Sequence, residues 1–127
     1  MPVPIDPTKA YDQGNIFARI LRGELPCNKV YEDDHVLAFN DINPQAPTHV
    51  LVIPKGPYVS WDDFSQSAPA EEIAAFVRAV GAIARDAGLV EHGYRLLANV
   101  GADGGQEVPH FHIHIFGGKP LGVMIAR

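Results

Sequence analysis

The chain has 127 residues and 46% hydrophobic content, which supports one hydrophobic core and excludes a protein of several domains. Its formal net charge of −5 at pH 7 argues against nucleic acid or an anionic membrane surface as the main partner. Cys27 is the only cysteine, so we expect no internal disulfide. No apolar run approaches the roughly 20 residues that span a bilayer, and with the single cysteine this leads us to expect a cytoplasmic protein.

The first half of the chain predicts an arm, one short helix and three strands. Residues 1–14 are rich in proline and polar side chains and predict an N-terminal arm, followed by a single domain over residues 15–127. A short helix fits the apolar pairs Ile16-Phe17 and Ile20-Leu21 and ends near Gly23. Three segments rich in β-branched and aromatic residues then predict strands: Lys29–Glu32, His35–Asn40 and His49–Pro54.

The second half predicts one long helix and two strands. The helix should begin at Ser67, acting as the N-cap, with Pro69 in its first turn, and should end at Gly88. Apolar residues at helical spacing predict its buried face: Ile73, Phe76, Val77, Val80, Ile83 and Ala84. A fourth strand is predicted over Tyr94–Asn99, and a fifth begins at His110. Short connections and one long helix favour an α+β architecture, an antiparallel sheet covered by helices.

Three histidines recur at every second position from His110 to His114. In a strand they would share one face, because successive side chains alternate between faces. The apolar residues of the same segment would then point into a core: Phe111, Ile113 and Ile115. Imidazole exchanges protons and attacks electrophiles near neutral pH. The alternation therefore predicts a chemical face opposite a structural face.

Two alternatives compete with a catalytic role for these histidines. A solvated strand face would more often carry Lys, Glu or Thr than three adjacent imidazoles. A metal could bridge neighbouring histidines of the strand, whose Cα atoms lie ~7 Å apart. His110 and His114 would lie ~13 Å apart, too far for one ion to take all three. Nucleophilic catalysis by one histidine is the interpretation that the preceding segment favours.

That preceding segment, Gly101–Val108, is rich in glycine. Glycine permits positive φ and lets successive backbone N–H groups turn toward an anion, while Gln106 adds a neutral donor. By itself such a segment is typical of an ordinary hairpin connection. Because it runs directly into the three histidines, it predicts a phosphate cradle beside a nucleophile.

The run Gly104–Gly118 resembles the signature of the histidine triad (HIT) family, His-φ-His-φ-His-φ-φ, where φ is apolar. Its last two glycines resemble the Hint branch of that family, and further matches bring the resemblance to roughly residues 15–124. The matched segments include Val30–Asp34, Phe39–Ile42 and Pro44–His49. The resemblance implies the HIT fold, a five-stranded antiparallel sheet with one long and one short helix. It also implies a homodimer with a continuous sheet.

The resemblance further implies roles for individual residues. His112 would be the nucleophile, His110 and His114 would stabilise the phosphoryl oxygens, and His49 would support the triad. Purine nucleotide contacts are implied at nine positions: Phe17, Phe39, Asp41, Ile42, Asn99, Gly105, Gln106, Glu107 and Val108. Many relatives carry serine where this chain has Glu107, and an ionised carboxylate would repel phosphate. Some relatives bind zinc through Cys-x-x-Cys, but those positions here are Asn15 and Ala18, so we expect no metal and no cofactor.

The activity implied is hydrolysis of purine nucleoside phosphoramidates, with P–N cleavage of adenylated amines or aminoacyl-adenylates through a nucleotidyl-histidine intermediate. One alternative is a dinucleoside polyphosphate hydrolase, which the ending Gly117-Gly118 argues against. The other is a nucleotide-binding interaction protein whose catalysis is incidental.

The C-terminal tail, residues 119–124, cannot continue as a regular central strand because it contains Pro120 and Gly122. Its apolar residues need a surface to cover. We expect this tail near a substrate pocket of the partner subunit.

Overall fold

A computed structural model of the protein describes residues 4–126. Residues 1–3 of the predicted arm and Arg127 lie outside the described residues. In chain order the elements are α1 (Ile16–Leu21), β1 (Lys29–Glu32), β2 (Val36–Asn40), β3 (Thr48–Pro54), α2 (Trp61–Ser67), α3 (Ala70–Asp86), β4 (Arg95–Leu97), α4 (Gly101–Gly104) and β5 (Ile113–Gly117). The strands form one sheet in the order β1-β2-β3-β5-β4, and each neighbouring pair is antiparallel. The predicted α+β class and the five-stranded antiparallel sheet are confirmed.

The central strands bury both faces, and each face supports its own apolar cluster. One cluster lies between the sheet and the long helix α3, where Val52 and Ile115 pack with Phe76 and Phe111. A smaller cluster lies on the opposite face, beneath α1: Phe17, Leu37, Phe39, Leu51 and Ile53. Because side chains alternate along β3 and β5, every second residue of these strands reaches the face of the smaller cluster. That face carries the histidines.

The long helix begins later than the sequence indicated, and the prediction that Ser67 is its N-cap is wrong. Ser67 is the last residue of α2, and α3 begins at Ala70 after Pro69. Proline disfavours the helical region for the residue before it, and Ala68 accordingly has ψ 141°. The N-cap of α3 is Pro69, which offers no side-chain hydrogen bond, and the side-chain cap in this region is Ser60, which begins α2 and accepts from the Asp62 N–H in a capping box.

Other boundaries differ by a few residues. β4 covers Arg95–Leu97 rather than Tyr94–Asn99. β5 begins at Ile113, so His110 and His112 lie in the irregular segment before it, with His110 in a bend. Val77 is 61% exposed and lies outside the buried stripe of α3. No helix among residues 4–126 has the length and hydropathy needed to cross a bilayer.

Candidate active site

Strand register brings His49 and His114 together. In the pairing of β3 with β5, Leu51 lies opposite His114 and His49 lies opposite Phe116. Residues two apart on one strand share a face, so His49 and His114 are diagonal neighbours on the face of the smaller cluster. Their ring centroids are 5.2 Å apart, and those of His112 and His114 are 5.0 Å apart. The predicted alternation therefore holds, although only His114 of the three lies within β5.

The ring of His112 is held through one nitrogen. Its Nδ1 lies 2.7 Å from the backbone oxygen of His110. A carbonyl oxygen can only accept, so Nδ1 carries the proton and Nε2 keeps a free lone pair. Burial lowers the pKa of His112, with the backbone hydrogen bond and the charges of Asp41 and Glu107 acting in the opposite direction. His112 is thus a neutral imidazole with an unprotonated Nε2 at pH 7.

A backbone donor also fixes the proton positions of His49 and His114. The N–H of Gln45 donates to His49 Nδ1 over 3.2 Å, so the proton of the neutral His49 ring is on Nε2. That Nε2 lies 2.9 Å from His114 Nδ1, which accepts the proton and leaves Nε2 of His114 as an N–H donor. Burial lowers the pKa of His49. Burial, reinforced by the neighbouring His112 and His49 and opposed by Asp41, lowers the pKa of His114 to about 4.

His110 is fully buried, and both of its ring nitrogens are occupied. Nε2–H donates to the backbone oxygen of Pro54 over 2.8 Å, and Nδ1 accepts from the hydroxyl of Tyr11 over 2.5 Å. Burial, partly opposed by the bond to Pro54, lowers the pKa of His110 to about 4. With both nitrogens occupied, this side chain has no free N–H to offer a phosphoryl oxygen in this arrangement, so its expected contact with phosphate stays a prediction.

Asp41 lies at the end of β2, where its backbone N–H donates to the oxygen of His49 over 3.0 Å. One carboxylate oxygen accepts from the N–H of Asn43 over 2.8 Å, and the other lies 3.5 Å from His49 Nε2. Donor atoms of Asp41, His49 and His114 all lie within 4.8 Å of one another, a spacing that could hold a metal ion. The same two imidazole nitrogens already share a proton, which a metal would have to displace.

Of the apolar residues expected to contact the purine, Phe17 and Phe39 lie together and form an aromatic wall beside His112. Phe17 and Phe39 meet edge to face with ring centroids 5.5 Å apart, and the Phe17 ring lies 5.1 Å from that of His112. Both phenylalanines are buried within the chain. Ile42 is 99% exposed and contributes no enclosed surface in a single subunit.

The glycine-rich segment forms a short helix that ends at a glycine C-cap, rather than an open loop around a phosphate. α4 ends at Gly105, whose φ of 74° requires glycine. The buried side chain of Gln106 accepts from the Gly101 N–H and donates to the oxygens of Val59 and Val108. Gln106 is thus used for structure and is not the free donor we expected. The remaining predicted contacts lie around this turn: Asn99 beside Gly104, Glu107 exposed, and Val108 packed against the smaller cluster.

Tyr11 is the residue at the site that sequence reasoning missed. It lies in the predicted arm, outside any periodic pattern, and sequence offers no signal that links it to a histidine 99 positions away. Pro54 and Gln45 were also missed, because they contribute backbone atoms whose roles do not depend on the side chain.

Comparisons with known proteins identify the family of the chain. The model of the HIT domain matches residues 22–121. An uncharacterized 13.2 kDa HIT-like protein of Azospirillum brasilense is 64% identical over 119 residues, covering 94% of this chain and 98% of the relative. The purine nucleoside phosphoramidase of Escherichia coli K12 is 45% identical over 112 residues, covering 88% and 93%.

Solved structures give the same result. A histidine triad protein from Clostridium difficile has a TM-score of 0.76 at 46% identity, covering 87% of this chain and 95% of its own. A HIT family hydrolase from Clostridium thermocellum has a TM-score of 0.81 at 39% identity, covering 90% and 98%. Together with the three histidines at alternate positions, these matches show that the chain belongs to the HIT family.

Proposed function

We propose that this protein is a hydrolase of purine nucleoside phosphoramidates, cleaving the P–N bond of adenylated amines or aminoacyl-adenylates. The observation that carries the proposal is the state of His112, which is neutral, buried and held at Nδ1 so that Nε2 keeps its lone pair. A protein that only binds nucleotides has no need of this arrangement. The purine nucleoside phosphoramidase of E. coli, at 45% identity, supports the choice of substrate class.

In the first step, the lone pair of His112 Nε2 attacks phosphorus and forms a P–N bond to the imidazole. The substrate's own P–N bond breaks, and the departing amine leaves with the electron pair and takes a proton from solvent. Positive charge then develops on the imidazole, where the Nδ1–H bond to the His110 oxygen stabilises it. The Nε2–H of His114 donates to a phosphoryl oxygen.

In the second step, water attacks the phosphorus of the nucleotidyl-histidine intermediate. The P–Nε2 bond breaks, its electron pair returns to His112, and the water's proton goes to solvent, which leaves a nucleoside monophosphate. His49 keeps His114 in the required tautomer, and Phe17 and Phe39 supply apolar surface next to the purine. The Asp41 carboxylate accepts a ribose hydroxyl. We further propose that the nucleotide contacts Ile42, Asn99, Gly105 and Val108.

Steady-state kinetics with two substrates tests this function. We expect hydrolysis of adenosine 5′-phosphoramidate with a kcat/KM well above that for diadenosine polyphosphates. The reverse order would assign the chain to dinucleoside polyphosphate hydrolysis. Tight adenosine monophosphate binding without turnover of either substrate would favour a nucleotide-binding interaction protein.

We also propose that the functional unit is a cytoplasmic homodimer, with Cys27 remaining reduced. β4 is one of the two edge strands of the sheet, β1 being the other, and its Leu96 is 48% exposed. An open edge with an exposed apolar side chain is a surface on which a second copy can pair antiparallel, giving one continuous sheet. Sedimentation velocity should show a dimer for the native chain and a monomer for Leu96→Arg. Val90→Arg, at an exposed site outside β4, is the control.

A further inference from the structure

We propose that Tyr11 is a positioning residue for the triad, and that the N-terminal arm is therefore part of the active site. The Tyr11 hydroxyl donates to His110 Nδ1 over 2.5 Å, and the two rings meet edge to face at 71° with centroids 5.5 Å apart. On its other side, His110 donates from Nε2 to the Pro54 oxygen. The ring of His110 is thus fixed at both nitrogens.

The arm is held on both sides of Tyr11, so this contact is not an isolated meeting of a loose terminus with the domain. Before it, Pro7 lies against Gly101, where an added Cβ would come 3.4 Å from the proline ring. After it, the Asn15 side chain donates to the Asp12 oxygen over 2.8 Å, and Arg22 donates to the Gln13 oxygen over 2.7 Å. These contacts hold Tyr11 against His110.

Tyr11 acts on the nucleophile through His110. The backbone oxygen of His110 accepts the Nδ1–H of His112, so the position of His110 sets the direction of the His112 lone pair. Without the Tyr11 hydroxyl, a fully buried imidazole nitrogen would lose its donor, and a buried acceptor without a partner is costly. The ring would shift or admit water, and His112 would shift with it.

Replacing Tyr11 by phenylalanine removes the hydroxyl and keeps the edge-to-face ring. In Tyr11→Phe we expect kcat for adenosine 5′-phosphoramidate to fall roughly three- to tenfold, the range of one lost hydrogen bond. KM should stay unchanged, because Tyr11 touches no substrate. Tyr31→Phe is the matched control: its hydroxyl donates a single bond, to Asp33 over 2.7 Å, on β1 away from the histidines. It should lose comparable stability and keep the native kcat.

Nitrogen-15 NMR of the histidine rings tests the same contact without substrate, which matters because the kinetic result rests on the proposed function. In the native chain we expect His110 to show a protonated Nε2 and an unprotonated, hydrogen-bonded Nδ1. In Tyr11→Phe the Nδ1 resonance should move toward that of a nitrogen without a donor, while Tyr31→Phe leaves it in place.

The outcomes separate the possibilities. A native kcat and an unmoved His110 Nδ1 resonance in Tyr11→Phe would overturn the proposal, as would an equal loss of kcat in Tyr31→Phe. If only Tyr11→Ala loses activity, the ring packs against the site and the hydroxyl has no positioning role. If the native chain hydrolyses no phosphoramidate, the proposed function fails, and the NMR comparison still decides whether Tyr11 fixes His110.

Discussion

His112 is the residue whose replacement should have the largest effect on turnover. In His112→Ala we expect kcat to fall at least about a thousandfold, because no other group offers the lone pair that forms the intermediate. Nucleotide binding should persist, since the phenylalanine wall is intact. The intermediate can be measured by stopping the reaction with denaturant, without acid, and counting the nucleotide bound covalently to the protein. We expect this label on the native chain and not on His112→Ala. His92→Ala, an exposed histidine outside the site, should behave as native.

The donor atoms of Asp41, His49 and His114 raise the question of a metal requirement. We expect turnover to survive exhaustive chelation, because the proton between His49 and His114 already orients both rings. Elemental analysis of the purified protein combined with the chelation assay measures this. One zinc per chain whose removal abolishes turnover would contradict the proton-based mechanism.

The buried histidines should make the protein sensitive to acid. The pKa of His110 is about 4 in the folded chain against a reference of 6.5, so the unfolded chain binds more protons between these values. The contribution is fully present above pH 6.5 and is lost as the pH falls toward 4. For His110 it is on the order of 3 kcal/mol. His114 adds less because it is more exposed. Urea unfolding between pH 7.5 and 4.5 should show this slope, and a flat profile would contradict it.

At the scale of elements, the capping box of α2 stabilises the helix whose Phe64 packs in the larger apolar cluster with Phe111. Asp63 accepts from the N–H groups of Val59 and Ser60 over 2.7 Å each, and Ser60 is fully buried. Ser60→Ala should lower the free energy of unfolding by about 1 kcal/mol, the usual value of an N-cap. Urea unfolding measures it. Ser65→Ala, at an exposed position within the same helix, should change stability much less.

Local sequence patterns predicted those elements whose conformation depends on their own residues more than on tertiary packing. The strand Lys29–Glu32 was predicted with the bounds that the structure has, because its β-branched and aromatic residues sit between turn signals. α2 was not predicted, although its capping box Ser60–Asp63 can be recognised in the sequence. The apolar stripe that follows favoured Ser67 as the N-cap instead. The exposure of Val77, at the margin of the stripe, depends on how α3 lies on the sheet, which no local pattern determines.

The same distinction holds for the site. Alternation alone predicted that His112 and His114 share a face and that Phe111 points into the core. The pairing of His49 with His114 follows from strand register, and the contact of Tyr11 with His110 follows from the path of the arm. Both are properties of the folded chain. Resemblance to a family supplied the role of His49 and could not supply that of Tyr11.

At the scale of the whole molecule, the C-terminal tail connects the site to the dimer that we propose. Arg95 of β4 donates to the Gly122 oxygen over 3.1 Å, so the tail runs beside the edge strand. Its apolar side chains are left uncovered in the single chain, with Val123 60%, Met124 83% and Ile125 75% exposed. Antiparallel pairing at β4 would give these side chains a surface on the partner subunit to cover. There the tail would lie beside the part of the partner's site that the leaving group occupies.

Truncation after Gly118 should therefore change the relative rates among amine leaving groups more than it changes the affinity for adenosine monophosphate. In the proposed dimer the tail would border the departing group and supply no reacting atom, so its removal should alter discrimination and leave the chemistry in place. Competition between two phosphoramidates with different amines, measured beside nucleotide titration and sedimentation, gives all three quantities. Arg95→Ala, which removes only the bond to Gly122, should move the rate ratio in the same direction by a smaller amount. An unaltered ratio and an unaltered dimer in the truncated chain would show that the tail has no part in either.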